Sequence, residues 1–140
     1  DMLIFPHQLK EAIACVAKFP HQKFIIDHCA KPKISAHEIT EWAACIKELA
    51  AMPNVYCKVS GLLTEAAWKQ WSAADFFPYL DIIFNSFGTD RLLFGSDWPV
   101  MLLSGIYVQW KSLLEKYMEA FSTEDKEKIF GANAIQFYNL

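Results

Sequence analysis

The chain has 140 residues, of which 54% are hydrophobic and 15% aromatic, so it is long and apolar enough for one domain with a sizeable core. The formal net charge is only −3 and no run of Lys or Arg forms a basic stripe, which argues against nucleic acid or an anionic membrane surface as a partner. No apolar stretch approaches the roughly 20 residues of a membrane span, and the four cysteines lie apart in apolar stretches, which favours reduced thiols and a cytoplasmic protein.

Short apolar runs alternate with segments of helical periodicity along the whole chain. The predicted strands are residues 2–5, 24–26, 55–59 and 92–94, and the predicted helices are residues 8–18, 35–52, 76–87, 107–120 and 122–140. Ser35, with Glu38 three residues later, is the expected N-cap of the second helix, and Gly131 is expected to break the last one. The abrupt apolar start at Met2 predicts that a further segment precedes this chain.

Four apolar strands, each followed by a helix, predict an α/β fold with a parallel sheet. Such a sheet is either a small doubly wound domain or the C-terminal half of a (β/α)₈ TIM barrel. The half barrel is favoured because polar residues follow every strand, where barrel enzymes build their sites, and because no Gly-rich nucleotide-binding loop is present. Open parallel sheets also bind ligands at that edge, so the alternative stays open. Residues 1–140 are expected to form one partial domain.

Two residues at strand ends are the main candidates for catalysis. Asp97 ends an apolar strand and is followed by Trp98-Pro99, which limits the access of water and favours a perturbed pKa. Its carboxylate could act as a general base or bind a metal, and the alternative is a capping role. His28 occupies the corresponding place on the second strand and could bind a metal or donate to a carbonyl oxygen.

Weaker candidates lie near these two residues. His7 and Gln8 could donate to a substrate oxygen, although a Pro-His-Gln sequence equally suits a helix start. Lys31 could bind a substrate carboxylate or hydroxyl, but a solvated lysine is the default expectation. Lys58 lies inside an apolar strand and therefore needs an acidic partner, whereas Asp27 is expected to be structural.

Three tryptophans could form an apolar wall for a ring-shaped substrate, although aromatic residues at such spacings more often lie in a core. They are Trp68, Trp71 and Trp98. Ser96 is disfavoured as a nucleophile because Gly95-Ser96-Asp97 lacks the GxSxG frame.

Several motifs together resemble the amidohydrolase-related (amidohydrolase 2) proteins, in particular the sugar-lactone hydrolase branch with fuconolactonase-type and pyrone-dicarboxylate lactonase enzymes. The motifs are Asp27 to Pro32, Val55 to Leu62 with Thr64 to Ala66, Arg91 to Val100, and Ile129 to Ala134 with Phe137-Tyr138. The likeness runs in order over essentially the whole chain. A family member is a complete (β/α)₈ barrel, so the resemblance places these residues at strands five to eight.

The resemblance implies a role for each candidate. Asp97 would activate water, His28 would lie beside the substrate carbonyl, and His7 and Gln8 would contact the substrate. The His-x-His pair of strand one, which supplies metal ligands in metal-using members of the wider superfamily, is absent from this sequence. Were zinc or manganese bound, His28 and Asp97 would be its ligands here.

Three functions follow as hypotheses. The first is a hydrolase that opens a sugar-acid lactone by attack of an Asp97-activated water on the ring carbonyl, with activity expected of the whole barrel rather than of this half alone. The second is a metal-dependent amidohydrolase or decarboxylase of the same superfamily. The third is a non-catalytic half barrel that self-associates through its open edge as a homo-oligomer.

Overall fold

Three parallel strands form the centre of the molecule. The computed structural model describes residues 1–140, with β1 at Phe24–Ile26, β2 at Val55–Val59 and β3 at Leu92–Phe94. They lie in the order β1-β2-β3, with Ile26 opposite Cys57 and Cys57 opposite Leu92. Sequential strands are neighbours and the order does not reverse, which is the α/β arrangement of half a TIM barrel.

Helices connect and flank the strands. They are α1 Leu9–Val16, α2 Thr40–Ala50, α3 Ala73–Phe87, α4 Tyr107–Tyr117, α5 Thr123–Glu127 and α6 Asn133–Tyr138. Residues Val55, Cys57 and Val59 of β2 are buried in the same core cluster as residues of α2 and α3, whereas Tyr56 and Lys58 alternate with them on the other face. The longest helix, α3, has 15 residues, and no helix combines the length and apolarity needed to cross a lipid bilayer.

The first predicted strand is wrong as a regular element. Only Met2 pairs with the sheet, through a parallel bridge to Ile26 in which Met2 N–H donates to the Ile25 carbonyl at 2.8 Å. β1 ends at Ile26 and a helical turn begins at Asp27, so β1 does not extend far enough to pair with the residues that follow Met2. Leu3 and Phe5 are consequently exposed, at 59% and 48%.

Two predicted helix signals are also wrong. Ser35 lies in a short turn and its N–H donates to the Glu65 carbonyl at 2.9 Å, so it caps no helix, and α2 begins only at Thr40. The Glu38 carboxylate pairs instead with Lys33 at 2.8 Å. Gly131 does not break the last helical segment, because it lies in a π-helical turn at Lys128–Ala132 that continues directly from α5 into α6.

Candidate active site

The two main candidates meet at the end of the sheet. His28 follows β1 and Asp97 follows β3, and the imidazole Nε2 lies 3.4 Å from Oδ1 of the carboxylate. Their side chains are only 19% and 8% exposed, respectively. The second carboxylate oxygen, Oδ2 of Asp97, is buried and has no hydrogen-bond partner in the protein. A buried anionic oxygen without a partner is unfavourable for folding, which is a feature of carboxylates at functional sites.

Unusual backbone geometry places both side chains. Four consecutive non-glycine residues, 28–31, have φ between 50° and 56°, and Asp97 has a φ of 60°. Non-glycine residues in this left-handed region are strained, and such strain is concentrated at functional sites. Trp42 fixes the first turn by donating from Nε1 to the Cys29 carbonyl at 2.8 Å, and Trp110 donates to the Gly95 carbonyl at 2.9 Å.

A buried serine completes the contacts of the imidazole. Ser60 follows β2, is 1% exposed, and its Oγ lies 2.8 Å from Nδ1 of His28. One polar side chain therefore follows each of the three strands. Ser60 contacts one side of His28, and Asp97 lies on the other side of the imidazole. The imidazole is held at both of its nitrogen atoms.

Two glycines make this close approach feasible. A Cβ on Gly61, which has a φ of +67°, would lie 2.5 Å from Cβ of His28. A Cβ on Gly95 would lie 2.9 Å from Cβ of Ser60. Since real Cβ atoms do not approach other heavy atoms so closely, any larger residue at either position would displace the His28–Ser60 pair.

Burial controls the ionisation of the pair. Desolvation lowers the pKa of His28 below its usual value, against the opposing attraction of Asp97 and Asp27. Desolvation likewise raises the pKa of Asp97, against the opposing effects of His28 and Lys31. Burial thus favours the neutral form of the imidazole and makes the carboxylate a stronger base than an exposed aspartate.

Lys31 is not the solvated lysine that is the default expectation from the sequence. Its side chain is only 14% exposed, and its Nζ pairs with Glu65 at 3.0 Å. The positive charge of Lys31 acts on the pKa of both His28 and Asp97, so the ammonium lies within electrostatic reach of the pair. A buried lysine with a carboxylate partner has a fixed position, which suits contact with a substrate.

The acidic partner expected for Lys58 is Asp27. Nζ of Lys58 lies 2.8 Å from Oδ1 of Asp27, and it also pairs with Asp1. Although burial lowers the pKa of Lys58, its contacts with Asp27 and Tyr138 leave that pKa above the usual value. Asp27 therefore has the structural ion pair that its position in the sequence suggests.

His7 and Gln8, the remaining candidates, are exposed residues near the N-terminus. Gln8 accepts the N–H of Phe5 at 2.9 Å, which is a capping contact. His7 is exposed and stacks on the Phe5 ring at 6.0 Å, and Nζ of Lys31 lies 6.0 Å from the same ring. A cleft of about 680 Å³ around His7 and the beginning of α2 includes neither His28 nor Asp97, which instead lie at the carboxyl end of the sheet.

The three tryptophans do not form one wall. Trp71 donates to the Ser104 carbonyl at 3.0 Å and packs edge-on against Phe76, so it belongs to the core. Trp68 is 52% exposed and donates to the Thr64 carbonyl. Trp98, directly beside Asp97, is 69% exposed, which leaves its ring free for contact.

Sequence reasoning missed three roles at this site. It assigned no contact to Ser60, no steric role to Gly61 and Gly95, and no partner to Lys31. The contact between Ser60 and His28 could have been predicted from the parallel sheet, because residues that follow neighbouring strands are expected to lie together. No local signal identifies Glu65 as the partner of Lys31, because the two are separated by a helix and a strand.

The donors for a divalent cation are limited to the same pair. No group of three or more His, Cys, Asp and Glu side chains is placed to hold a metal ion. His28 Nε2 and the free Oδ2 of Asp97 could supply two ligands, whereas catalytic zinc is normally held by three protein side chains. The residues of this chain therefore fit part of a metal site.

Two curated proteins that are similar to this chain are named lactonases. The chain is 38% identical to an L-fucono-1,5-lactonase of Burkholderia ambifaria over 144 residues, which cover 100% of this chain and 49% of that protein. It is 26% identical to an L-rhamnono-gamma-lactonase of Scheffersomyces stipitis, covering 95% of this chain and 45% of that protein. The chain spans about half the length of the relatives it matches.

A solved structure is similar over the whole chain. It is an amidohydrolase from Burkholderia multivorans with bound HEPES, with a TM-score of 0.93 and 37% identity, covering 100% of this chain and 52% of that one. Another crystal form of the Burkholderia multivorans amidohydrolase contains zinc and has a TM-score of 0.92. The model of the family described as Amidohydrolase matches residues 1–140, and the chain belongs to that family.

Proposed function

We propose that the protein hydrolyses the ester bond of a sugar-acid lactone. The observation that carries this proposal is the buried Asp97 carboxylate, which has one oxygen beside the His28 imidazole and the other without a protein partner. The lactonase names of two relatives support the substrate class. We further propose that residues 1–140 form one part of a single barrel domain, which together with the rest of the barrel would make the complete site.

Asp97 would act as the general base. Its carboxylate takes a proton from a water molecule, and the oxygen of that water forms a bond to the carbonyl carbon of the lactone. The bond between this carbon and the ring oxygen then breaks, and the proton passes to the ring oxygen, which gives the open hydroxy acid. Because burial raises the pKa of Asp97, the carboxylate accepts the first proton more readily than an exposed aspartate would.

His28 and Lys31 would stabilise the charge on the carbonyl oxygen. A neutral imidazole can donate one N–H hydrogen bond, and the ammonium of Lys31 adds positive charge close to the pair. A single donor of this kind typically contributes about a hundredfold or more to turnover. Trp98 would cover the apolar face of the sugar ring, and His7 and Gln8 would contact its hydroxyl groups at the rim.

The test is turnover by the full-length protein with L-fucono-1,5-lactone and L-rhamnono-gamma-lactone, followed as acid release. Asp97→Asn is expected to lower kcat by about 10² to 10⁴, since it removes the base and keeps the shape of the side chain. Asp90→Asn, which changes an exposed aspartate paired with Lys128, is the control and is expected to retain activity. Near-normal turnover by Asp97→Asn would refute the assignment.

A second candidate is metal-assisted hydrolysis or decarboxylation. The unpartnered Oδ2 of Asp97 favours it, as does the zinc in the related Burkholderia multivorans structure. Zinc or manganese held between His28 and Asp97 would supply a Lewis acid for the carbonyl oxygen. Lys31 and Trp98 would still position the substrate in that case.

A further inference from the structure

Ser60 is the residue of this site for which neither the motifs nor the relatives suggest a role. We propose that Ser60 is a positioning residue whose hydroxyl donates to Nδ1 of His28 and so holds the imidazole with its Nε2 proton on the side of Asp97. This inference rests on the proposed function, because it concerns how the same imidazole is prepared for the lactone carbonyl. It stands on the 2.8 Å contact between Ser60 Oγ and His28 Nδ1.

The contacts at the two imidazole nitrogens select one tautomer. A neutral imidazole has one N–H donor and one nitrogen that accepts. Nε2 faces the Asp97 carboxylate, which can only accept when ionised, so the proton belongs on Nε2. Nδ1 is then an acceptor, and the Ser60 hydroxyl is the donor beside it. The opposite tautomer would place the lone pair of Nε2 against a carboxylate oxygen at 3.4 Å, which is repulsive.

The surroundings of Ser60 hold this arrangement in place. Ser60 is 1% exposed, so no bulk water competes for its hydroxyl. Gly61 and Gly95 leave the space that the His28 and Ser60 side chains occupy, because a Cβ at either position would overlap them. Trp110 fixes the Gly95 carbonyl from the other side.

The tautomer determines what His28 can do. With the proton on Nε2, the imidazole has an N–H on the side of Asp97 that is free to donate to a carbonyl oxygen bound beside it. With the proton on Nδ1, the free Nε2 would instead be a metal ligand, and Ser60 would accept from Nδ1–H as an outer partner. The state of His28 therefore distinguishes a hydrogen-bond donor from a metal ligand.

The chain offers a matched control for Ser60. Ser104 is also 1% exposed, and its Oγ has no hydrogen-bond partner in the protein. Ser60→Ala and Ser104→Ala thus remove the same buried hydroxyl group, in one case from the imidazole and in the other from no partner. A purely structural effect of losing a buried hydroxyl would appear in both variants.

The experiment is nitrogen-15 NMR of the histidine side chains in the full-length protein at pH 8, with the His28 signals assigned by comparison with His28→Gln. In the unsubstituted protein we expect a protonated Nε2 and an unprotonated Nδ1. In Ser60→Ala we expect Nε2 to stay protonated, because Asp97 still faces it, and the Nδ1 signal to shift, because the hydrogen bond from the Ser60 hydroxyl is lost. In Ser104→Ala we expect the unsubstituted pattern. A protonated Nδ1 in the unsubstituted protein, or an unchanged Nδ1 signal in Ser60→Ala, overturns the inference.

Kinetics with L-fucono-1,5-lactone give a second readout. We expect Ser60→Ala to lower kcat about 10- to 100-fold with little change in KM, as the loss of an outer partner of a catalytic imidazole does. Ser104→Ala is expected to retain kcat. The two proposals fail separately: absence of lactone turnover with the expected tautomer contradicts only the function, whereas turnover with the opposite tautomer contradicts only the role of Ser60. If Ser60→Ala does not fold, the tautomer of the unsubstituted protein alone decides.

Discussion

His28 Nε2 lies 3.4 Å from Asp97 Oδ1, yet burial lowers the pKa of the imidazole and raises the pKa of the carboxyl group. An ion pair in water would shift both values the other way, because each charge would stabilise the other. Desolvation therefore outweighs the attraction between the two groups. The site consequently holds Asp97 in a place where its charge is unfavourable for folding.

The first prediction is that Asp97→Asn stabilises the fold while it removes activity. The pKa of Asp97 is raised in the folded protein, so its contribution to stability is present at low pH and is lost as pH rises through the carboxyl range. We expect the Tm of Asp97→Asn to exceed that of the unsubstituted protein by a few degrees at pH 8. At pH 4 the gain should shrink, because a larger fraction of Asp97 is then protonated and uncharged.

Asp90→Asn is the control for this measurement, since its exposed carboxylate gains nothing from neutralisation. A Tm gain of equal size at pH 4 and pH 8 would show that the effect comes from packing and not from charge. His28 acts in the opposite direction: its pKa is lowered, so stability is lost as pH falls below about 6.5, the ordinary value for histidine.

The second prediction concerns Gly61. Gly61→Ala is expected to lower the free energy of unfolding by about 2 kcal/mol or more, because a non-glycine residue is strained at a φ of +67° and the new Cβ would overlap His28. Urea unfolding measures the loss. The displaced imidazole should also lower kcat for the lactone.

Gly131→Ala is the matched control, because nothing lies within 4 Å of its added Cβ and it lies in a helical segment. That variant is expected to be neutral, or to be stabilised by up to about 1 kcal/mol through better helix propensity. The role of Gly61 would be refuted if the two alanine variants lost stability equally.

The sequence predicts those parts of the fold that depend on local pattern. The runs at 24–26, 55–59 and 92–94 form the three strands because each pairs with a neighbour in the sheet, whereas in residues 2–5 only Met2 does. Asp97 and His28 come together because residues that follow parallel strands meet at one edge of the sheet. The proximity of Asp97 and His28 can therefore be predicted from the alternation of strands and helices and from the parallel sheet that it implies.

The sequence does not predict which distant partner a residue chooses. Ser35 has the pattern of an N-cap, but its N–H binds the Glu65 carbonyl, and Glu38 binds Lys33. The sequence predicts a solvated Lys31, whereas in the folded protein Lys31 pairs with Glu65. The contacts of Ser35 and Lys31 both come from Glu65, far along the chain, so the local sequence pattern does not indicate them.

The third prediction concerns metal removal. If His28 donates from Nε2, the imidazole is not a metal ligand, and turnover of L-fucono-1,5-lactone should persist after treatment with a chelator. The measurement compares kcat before chelation, after it, and after addition of zinc or manganese, with Asp97→Asn as the background. Loss of turnover that either ion restores would favour the metal-assisted alternative.

The fourth prediction tests the ion pair beside the site. Lys58 on β2 lies 2.8 Å from Asp27, and the side chains are 23% and 17% exposed. Lys58→Met is expected to destabilise the fold by about 1–3 kcal/mol, since it leaves the Asp27 carboxylate without its cation in a largely buried place. The freed negative charge also acts on His28, whose pKa should rise because Asp27 already raises it.

A double-mutant cycle separates this effect from the loss of packing. Asp27→Asn removes the charge that Lys58→Met would leave unpaired, so the double variant should lose less stability than the sum of the two single variants. We expect the difference to be about 1 kcal/mol, within the range measured for residues in contact. Urea unfolding gives the energies, and the pKa of His28 in each variant follows from its NMR titration. Additive losses, with an unchanged pKa of His28 in Lys58→Met, would mean that the Lys58–Asp27 pair neither couples the two strands nor influences the His28 imidazole.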